Sequence, residues 1–174
     1  MNRKILLTVL TLSVVLLASP FVGTVMAKRP LWGTMDLEFN LAWPGPQADI
    51  PDWVGTVTID GNEYGMAFFC IGSGKPFADD PGKVHFFEEN WVIYDWMTFD
   101  FETQVLDYGE ILLWGHDKGV TNLVNSNYVM NGNVEEATGD FAVWEGSNVH
   151  MSGEILWYPN GAPHYAPGVF RANG

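Results

Sequence analysis

The sequence predicts an all-β fold, a single antiparallel barrel of about eight strands, with a β-sandwich as the alternative. Three observations lead to this prediction. Apolar and polar residues alternate with a period of two along several segments. Short turn motifs rich in Gly, Asp and Asn separate these segments, and nothing after Ala27 shows the 3.6-residue apolar spacing of a helix. The barrel is favoured because closing a sheet on itself removes its exposed strand edges.

Strands are expected wherever alternation runs between two turn motifs. The clearest are 31–41 and 148–157, in which one face is apolar and the other is mostly polar. We expect these two long strands to pair and close the barrel. The run 83–96 is expected to be kinked near Glu89-Asn90. The full set of expected strands is 31–41, 53–59, 62–71, 83–96, 109–115, 120–130, 138–145 and 148–157.

Turn motifs set the boundaries between these strands. Asp60-Gly61 predicts a type I′ hairpin, because both central residues of that turn need positive φ. We interpret Asp117-Lys118-Gly119, Asn131-Gly132 and Glu145-Gly146-Ser147 as further turns. Residues 159–174 contain three prolines and are predicted to form a loop or a strap.

The first 27 residues have the organisation of a secretory signal peptide. Arg3 and Lys4 supply positive charge, Ile5 to Ala18 is an almost unbroken apolar run, and Val25-Met26-Ala27 fits the small-x-small cleavage rule. The alternative is a retained anchor, but the apolar run is shorter than the roughly 20 residues that span a bilayer. We therefore predict cleavage after Ala27 and secretion of one domain, 28–174, into the extracellular or cell-envelope space.

The charge of the chain excludes some partners. Without Arg3 and Lys4, six basic residues face 21 acidic ones, which leaves a net charge of −15. Such a surface repels nucleic acid and anionic membranes, so we expect neither as a partner once the signal peptide is removed. The acidic residues are dispersed along the chain, and we interpret them as solvated strand faces rather than as a site.

Motifs for metal or catalytic chemistry are weak. The four histidines show no metal-ligand spacing, and Cys70 alone does not make a zinc set, so a metal would need ligands gathered across strands. The adjacent carboxylates Glu88-Glu89, Asp79-Asp80 and Glu135-Glu136 would face opposite sides of a strand. We predict no metal, no cofactor and no catalytic residue. Whether the protein is an enzyme stays open, with a non-enzyme favoured.

One part of the sequence resembles a known group of small barrels. The stretch 137–141, Ala-Thr-Gly-Asp-Phe, is followed by Gly146 and by His150–Ile155. This order is similar to the Gly-x-Phe strand, turn glycine and Gly-containing strand of allene oxide cyclase and dirigent barrels, and 33–39 resembles their first strand. The resemblance covers about a third of residues 28–174. It implies an eight-stranded antiparallel barrel with an apolar cavity, often in a trimer, and matches no catalytic residue of that group.

The leading functional prediction is a secreted barrel that binds a small apolar or amphipathic molecule without chemistry of its own. A barrel of about eight strands has room for its own side chains or for one small ligand. The expected contacts are apolar-face residues near strand ends, and the same residues could simply fill the barrel. They are Phe39, Trp53, Phe68, Phe141, Met151 and Trp157.

Two alternatives remain open. The chain has eight tryptophans, and rings exposed on a surface can bind sugars, so Trp32, Trp114 and Trp144 could form a glycan-binding module. A cyclase- or isomerase-like enzyme would instead need a buried polar group in the cavity. His150 or Glu154 could supply that group only if the parity of their strand were reversed.

Overall fold

The structure, a computed structural model, describes residues 29–45, 49–70, 75–76, 79–80 and 82–173. Within these ranges the chain forms twelve strands and one 3-10 helix, Gly139–Trp144. The expected signal peptide lies outside the described residues. The strands are β1 Leu31–Phe39, β2 Trp53–Ile59, β3 Asn62–Cys70, β4 Lys75–Pro76, β5 Lys83–Tyr94, β6 Met97–Asp100, β7 Val105–Tyr108, β8 Ile111–Asn122, β9 Asn127–Ala137, β10 Asn148–Glu154, β11 Leu156–Trp157 and β12 Pro163–Asn173.

Eight of these strands close into an antiparallel barrel, in the order β1-β2-β3-β5-β8-β9-β10-β12, with β12 pairing back to β1. The predicted barrel is confirmed, and the sandwich alternative is wrong. The strand that closes the barrel differs from the expected one. β12 pairs with β1 from Leu31↔Ala172 to Glu38↔Tyr165, whereas 148–157 pairs with β9 and β12.

The prediction of a loop or strap for 159–174 was therefore wrong for Pro163–Asn173, because Pro163 and Pro167 lie where a strand tolerates them. Pro163 begins β12. Pro167 lies between the last pair with β10, Gly153↔Gly168, and the first pair with β11, Leu156↔Tyr165. The ladder on that side is interrupted at this point, and proline fits where a strand N–H is not needed.

Two predicted turns lie inside strands. Asp117-Lys118-Gly119 belongs to β8 and Asn131-Gly132 to β9, and the connection between these strands is residues 123–126. A Cβ at Gly119 would crowd Met130, and a Cβ at Gly132 would lie 2.7 Å from Cβ of Asp117. Both glycines therefore make space in the sheet, a role that sequence does not distinguish from a turn.

The predicted strand 138–145 is instead the 3-10 helix, which covers one end of the barrel. The Phe141 ring packs edge-on against Tyr64 at 5.6 Å between centroids, and Trp144 Nε1 donates to the Arg29 carbonyl at 3.1 Å. We call this end, which also holds the Asp60-Gly61 turn, the helix end. The predicted type I′ turn is confirmed there, with φ of 48° at Asp60 and 83° at Gly61.

The opposite end, which we call the loop end, is where 40–52 joins β1 to β2 and 123–126 joins β8 to β9. The predicted kink in β5 lies near this end, as a register shift between Phe86 and Glu89. A β6–β7 hairpin, which was not expected, packs outside the barrel. It covers a second small core of Val54, Ala67, Phe69 and Tyr94.

Candidate functional site

Pairing register places four aromatic side chains next to one another around half of the barrel. Phe39 pairs with Trp53, Trp53 with Phe68, and Phe68 with Trp91. The Phe39 and Trp53 rings meet edge-on at 5.1 Å, while Phe68 and Trp91 are fully buried in the main core. We call these four residues the aromatic row. Three of the predicted ligand contacts, Phe39, Trp53 and Phe68, are thus neighbours.

A row of acidic and thiol side chains lies one step closer to the loop end. Cys70 pairs with Glu89, and Glu89 pairs with Asp117. Asp52 directly precedes Trp53, and its Oδ1 accepts a hydrogen bond from the Cys70 N–H at 3.2 Å. We call Asp52, Cys70, Glu89 and Asp117 the acidic row. Their exposed fractions are 4%, 5%, 4% and 0%, respectively.

The period of two along each strand explains why Glu89 and Asp117 face inward, whereas Asp52 lies before β2 and is fixed by the Cys70 N–H bond. Glu89 shares its face with Trp91 and Ile93, which are wholly buried in the main core. Asp117 shares its face with Leu113 in the same core. Gly132, opposite Asp117 on β9, leaves the space that the Asp117 side chain needs. The interpretation of all the acids as solvated strand faces is therefore wrong for Asp52, Glu89 and Asp117.

The acidic row brings together groups that could bind one ion. One ligand atom from each of Asp52, Cys70 and Glu89 lies within 4.8 Å of the other two. Sequence reasoning required any metal ligands to be gathered across strands, and the barrel does this with β3, β5 and the residue before β2. Among the described residues, no ion pair reaches these carboxyls.

Burial sets the protonation of the three carboxyls. It raises the pKa of Asp52 to about 7, against the opposing effect of backbone N–H bonds. The pKa of Glu89 is raised well above its usual range by burial and then by the charges of Asp52 and Asp117. The pKa of Asp117 is raised well above its usual range by burial and then by Asp52. The protonation of each carboxyl therefore depends on the charges of the other buried acids.

Several polar atoms around the acidic row are buried without a hydrogen-bond partner among the described residues. They are both carboxyl oxygens of Asp117, Thr121 Oγ1, the Tyr128 hydroxyl and Trp91 Nε1. Tyr128 pairs with Thr121, and burial and then the charge of Glu89 raise the pKa of its phenol. Buried polar atoms are nearly always satisfied in native proteins, so this group indicates a site for water, an ion or a ligand.

Two glycines on β10 and β12 leave room for the hydroxyl of Tyr128. A Cβ at Gly153 or at Gly168 would overlap the Tyr128 hydroxyl. The ring therefore extends from β9 toward β12 inside the barrel. Its hydroxyl adds a donor to a region otherwise rich in acceptors.

The other predicted contacts are more scattered. Met151 is fully buried in the core, paired with Phe170. Phe141 lies at the helix end rather than on a strand. Trp157 is 37% exposed, and its Nε1 donates to Ser126 Oγ at 2.9 Å, so it lies outside the main core.

The residues of the two alternative functions lie on the outside or at the helix end. Trp32 on β1 and Trp114 on β8 are four strands apart in the eight-stranded barrel, so they face opposite sides. The Trp144 ring packs on Phe141. His150 and Glu154 are exposed, and His150 Nδ1 lies 2.9 Å from Asn131 Oδ1. The parity of β10 is therefore not reversed, and neither residue supplies a buried polar group.

Comparisons of the chain with protein-family models, curated proteins and solved structures find no match. The resemblance to allene oxide cyclase and dirigent barrels therefore stays a prediction. Within the described ranges, no helix has the length and apolar character needed to cross a membrane.

Proposed function

We propose that this protein binds one small amphipathic molecule at the boundary between the aromatic and acidic rows. The observation that carries the proposal is the direct adjacency of the two rows on the inner wall. Phe68 and Cys70 are two residues apart on β3, and Trp91 and Glu89 are two residues apart on β5. One ligand could therefore place an apolar part against rings and a polar part against carboxyls.

The chemistry of the acidic row favours a ligand with a positive charge or several hydrogen-bond donors. Carboxylates accept hydrogen bonds, and a cation next to them would offset the repulsion among three buried acids. The pairing of an apolar wall with a few convergent polar groups is the usual composition of a small-molecule site. Entry is proposed from the loop end, because Phe141 and Trp144 cover the helix end.

The setting of this function is proposed to be outside the cytoplasm. Residues 1–27 would direct export and be removed. The acidic surface of the remaining domain would oppose its self-association in solution. Export is tested by the mass of the protein recovered from its host's culture supernatant, which should correspond to a chain that begins at Lys28.

Two measurements test the binding proposal. Native mass spectrometry of the host-purified protein should show a bound small molecule. In a chelating buffer, 2-phenylethylamine should quench tryptophan fluorescence saturably, whereas 3-phenylpropionate, with the same ring and the opposite charge, should not. Glu89→Gln should weaken amine binding at least tenfold, and Glu63→Gln, an exposed acid on β3, should leave it unchanged. Equal binding of both probes, or of neither with no copurifying molecule, would refute the proposal.

A second candidate function, acid–base catalysis of a cyclase or isomerase type, is favoured by one observation. Burial raises the pKa of Asp52 to about 7, where a carboxyl can both take and give a proton. The catalytic group would then be Asp52, in place of His150 or Glu154. Conversion of the copurifying molecule by the wild-type protein, lost in Asp52→Asn with binding retained, would select this candidate. The glycan alternative has no such support, because its rings do not form one platform.

A further inference from the structure

We propose that Asp52, Cys70 and Glu89 form a binding site for one divalent transition-metal ion of the zinc class. This inference goes beyond the proposed function and does not depend on it. The ion and an organic cation would use the same carboxylates and would therefore compete. The site lies at the loop end of the barrel wall, where Cys70 pairs with Glu89 and the Asp52 carboxylate accepts the Cys70 N–H.

The first reason for proposing this site is the short distance between the three ligand atoms. Ligand atoms of the three residues lie within 4.8 Å of one another. Zinc binds thiolate sulfur at about 2.3 Å and carboxylate oxygen at about 2.0–2.2 Å, so ligands around one ion stand roughly 3.5 Å apart.

The buried carboxyl of Asp117 is a second, independent reason to propose a cation at this site. Its side chain is wholly buried, lies opposite Glu89 across the β5–β8 ladder, and has no hydrogen-bond partner for either oxygen among the described residues. Because the two residues are a cross-strand pair and both side chains are buried, the Asp117 carboxyl lies beside that of Glu89. A cation next to Glu89 would give these oxygens an electrostatic partner, as a fourth ligand or through a bound water.

The donor set selects the class of ion. A thiolate with two carboxylates suits zinc or cobalt(II), whereas magnesium and calcium prefer oxygen ligands alone. Binding would require Cys70, Asp52 and Glu89 to be deprotonated, which releases protons to solvent. A divalent ion would then offset two of the three negative charges.

Cobalt(II) titration of the purified, metal-stripped protein is the test. One equivalent should bind, with a thiolate-to-cobalt charge-transfer absorption in the near ultraviolet, and zinc should displace it. Cys70→Ser should abolish that absorption, while Asp52→Asn and Glu89→Gln should weaken binding at least tenfold. Glu63→Gln is the matched control and should bind as wild type does. Circular dichroism should establish that each variant is folded.

Three results would overturn the proposal. The first is a folded, stripped protein that takes up no cobalt or zinc. The second is uptake without the charge-transfer absorption. The third is uptake that Cys70→Ser leaves unchanged. The amine titration in chelator is a separate assay, so failure of the metal site and failure of the small-molecule site are distinguished.

Discussion

Glu89 on β5 and Asp117 on β8 lie directly opposite each other, with both side chains buried inside the barrel. Like charges in such a pair are destabilising, and burial adds to the cost. No ion pair among the described residues offsets it. An arrangement that opposes folding in this way is typical of a functional site, because carboxyls with strongly shifted pKa values are concentrated at such sites.

Neutralising Glu89 should stabilise the metal-free protein. We expect Glu89→Gln to raise the free energy of unfolding at pH 8 by about 1–3 kcal/mol, because it replaces a buried acid that costs free energy at that pH whether it is ionised or held protonated. Urea denaturation in chelating buffer measures this change. Glu63→Gln should stay within about 0.5 kcal/mol of wild type, as is usual for surface changes. Destabilisation by Glu89→Gln at pH 8 would show that the carboxylate has a partner in the fold.

The pH dependence of stability should reflect the same carboxyls. The pKa of Asp52 rises from 3.8 to about 7 on folding, and those of Glu89 and Asp117 are also raised. The folded state thus binds more protons than the unfolded chain between about pH 4 and 7. The stability contributed by these groups is complete below about pH 4 and is lost as pH rises, at about 1.4 kcal/mol per unit for each group.

Thermal unfolding of the metal-free protein from pH 4 to 8 measures this effect. Asp52→Asn should flatten the fall in stability between pH 4 and 7. The exposed Asp80 and Asp100 have lowered pKa values, so their contribution is lost only on acidification and lies outside this window. A stability that rises steadily from pH 5 to 8 in chelator would contradict the burial of these acids.

Gly132 should be intolerant of a side chain. A Cβ there would overlap the His116 carbonyl and press on Asp117. We expect Gly132→Ala to lower the free energy of unfolding by about 1–3 kcal/mol, as overpacking does. Asn133→Ala, an exposed change at the next position of β9, serves as the control and should have a far smaller effect. Equal urea midpoints for both variants would argue against the close approach of β8 and β9.

Phe141 should stabilise the helix end of the barrel through its contact with Tyr64. We expect Phe141→Ala to cost about 1–3 kcal/mol, less than a fully buried phenylalanine because its ring is partly exposed. Val143→Ala on the same 3-10 helix removes an exposed side chain and should cost little. Thermal unfolding compares the two. Binding of 2-phenylethylamine should be unaffected by Phe141→Ala, since the proposed site lies toward the loop end.

β12 should be essential to the fold, although its sequence predicts a loop. It pairs with β1, β10 and β11, so its loss would open the barrel and expose two unpaired edges. We expect truncation after Tyr158 to give a chain that does not unfold cooperatively. Hydrogen exchange in the intact protein should show slow amides in Val169–Arg171. Exchange in this segment as fast as in residues 123–126 would contradict its place in the barrel.

The sequence by itself determined the fold class, because strand alternation and turn motifs are properties of short, continuous segments. Alternation along residues 31–39 and 148–154, and the Asp60-Gly61 turn, follow from the chirality and period of the strand itself. The barrel was favoured over the sandwich by a further argument, that closing a sheet removes its exposed strand edges. The phase of Glu89 with Trp91 and Ile93 was also readable, and it could have placed that acid inside.

Only the tertiary structure decided which strands meet and therefore which side chains form a site. The glycines at 119 and 132 look like turns until the neighbouring strand shows what they make room for. Pro163 and Pro167 look like breakers until the pairing partners of β12 are known. Cys70, Glu89 and Asp117 are scattered along the chain and become neighbours through register, and Asp52 joins them through its bond to the Cys70 N–H. Register depends on contacts between distant segments, and no local pattern encodes those contacts.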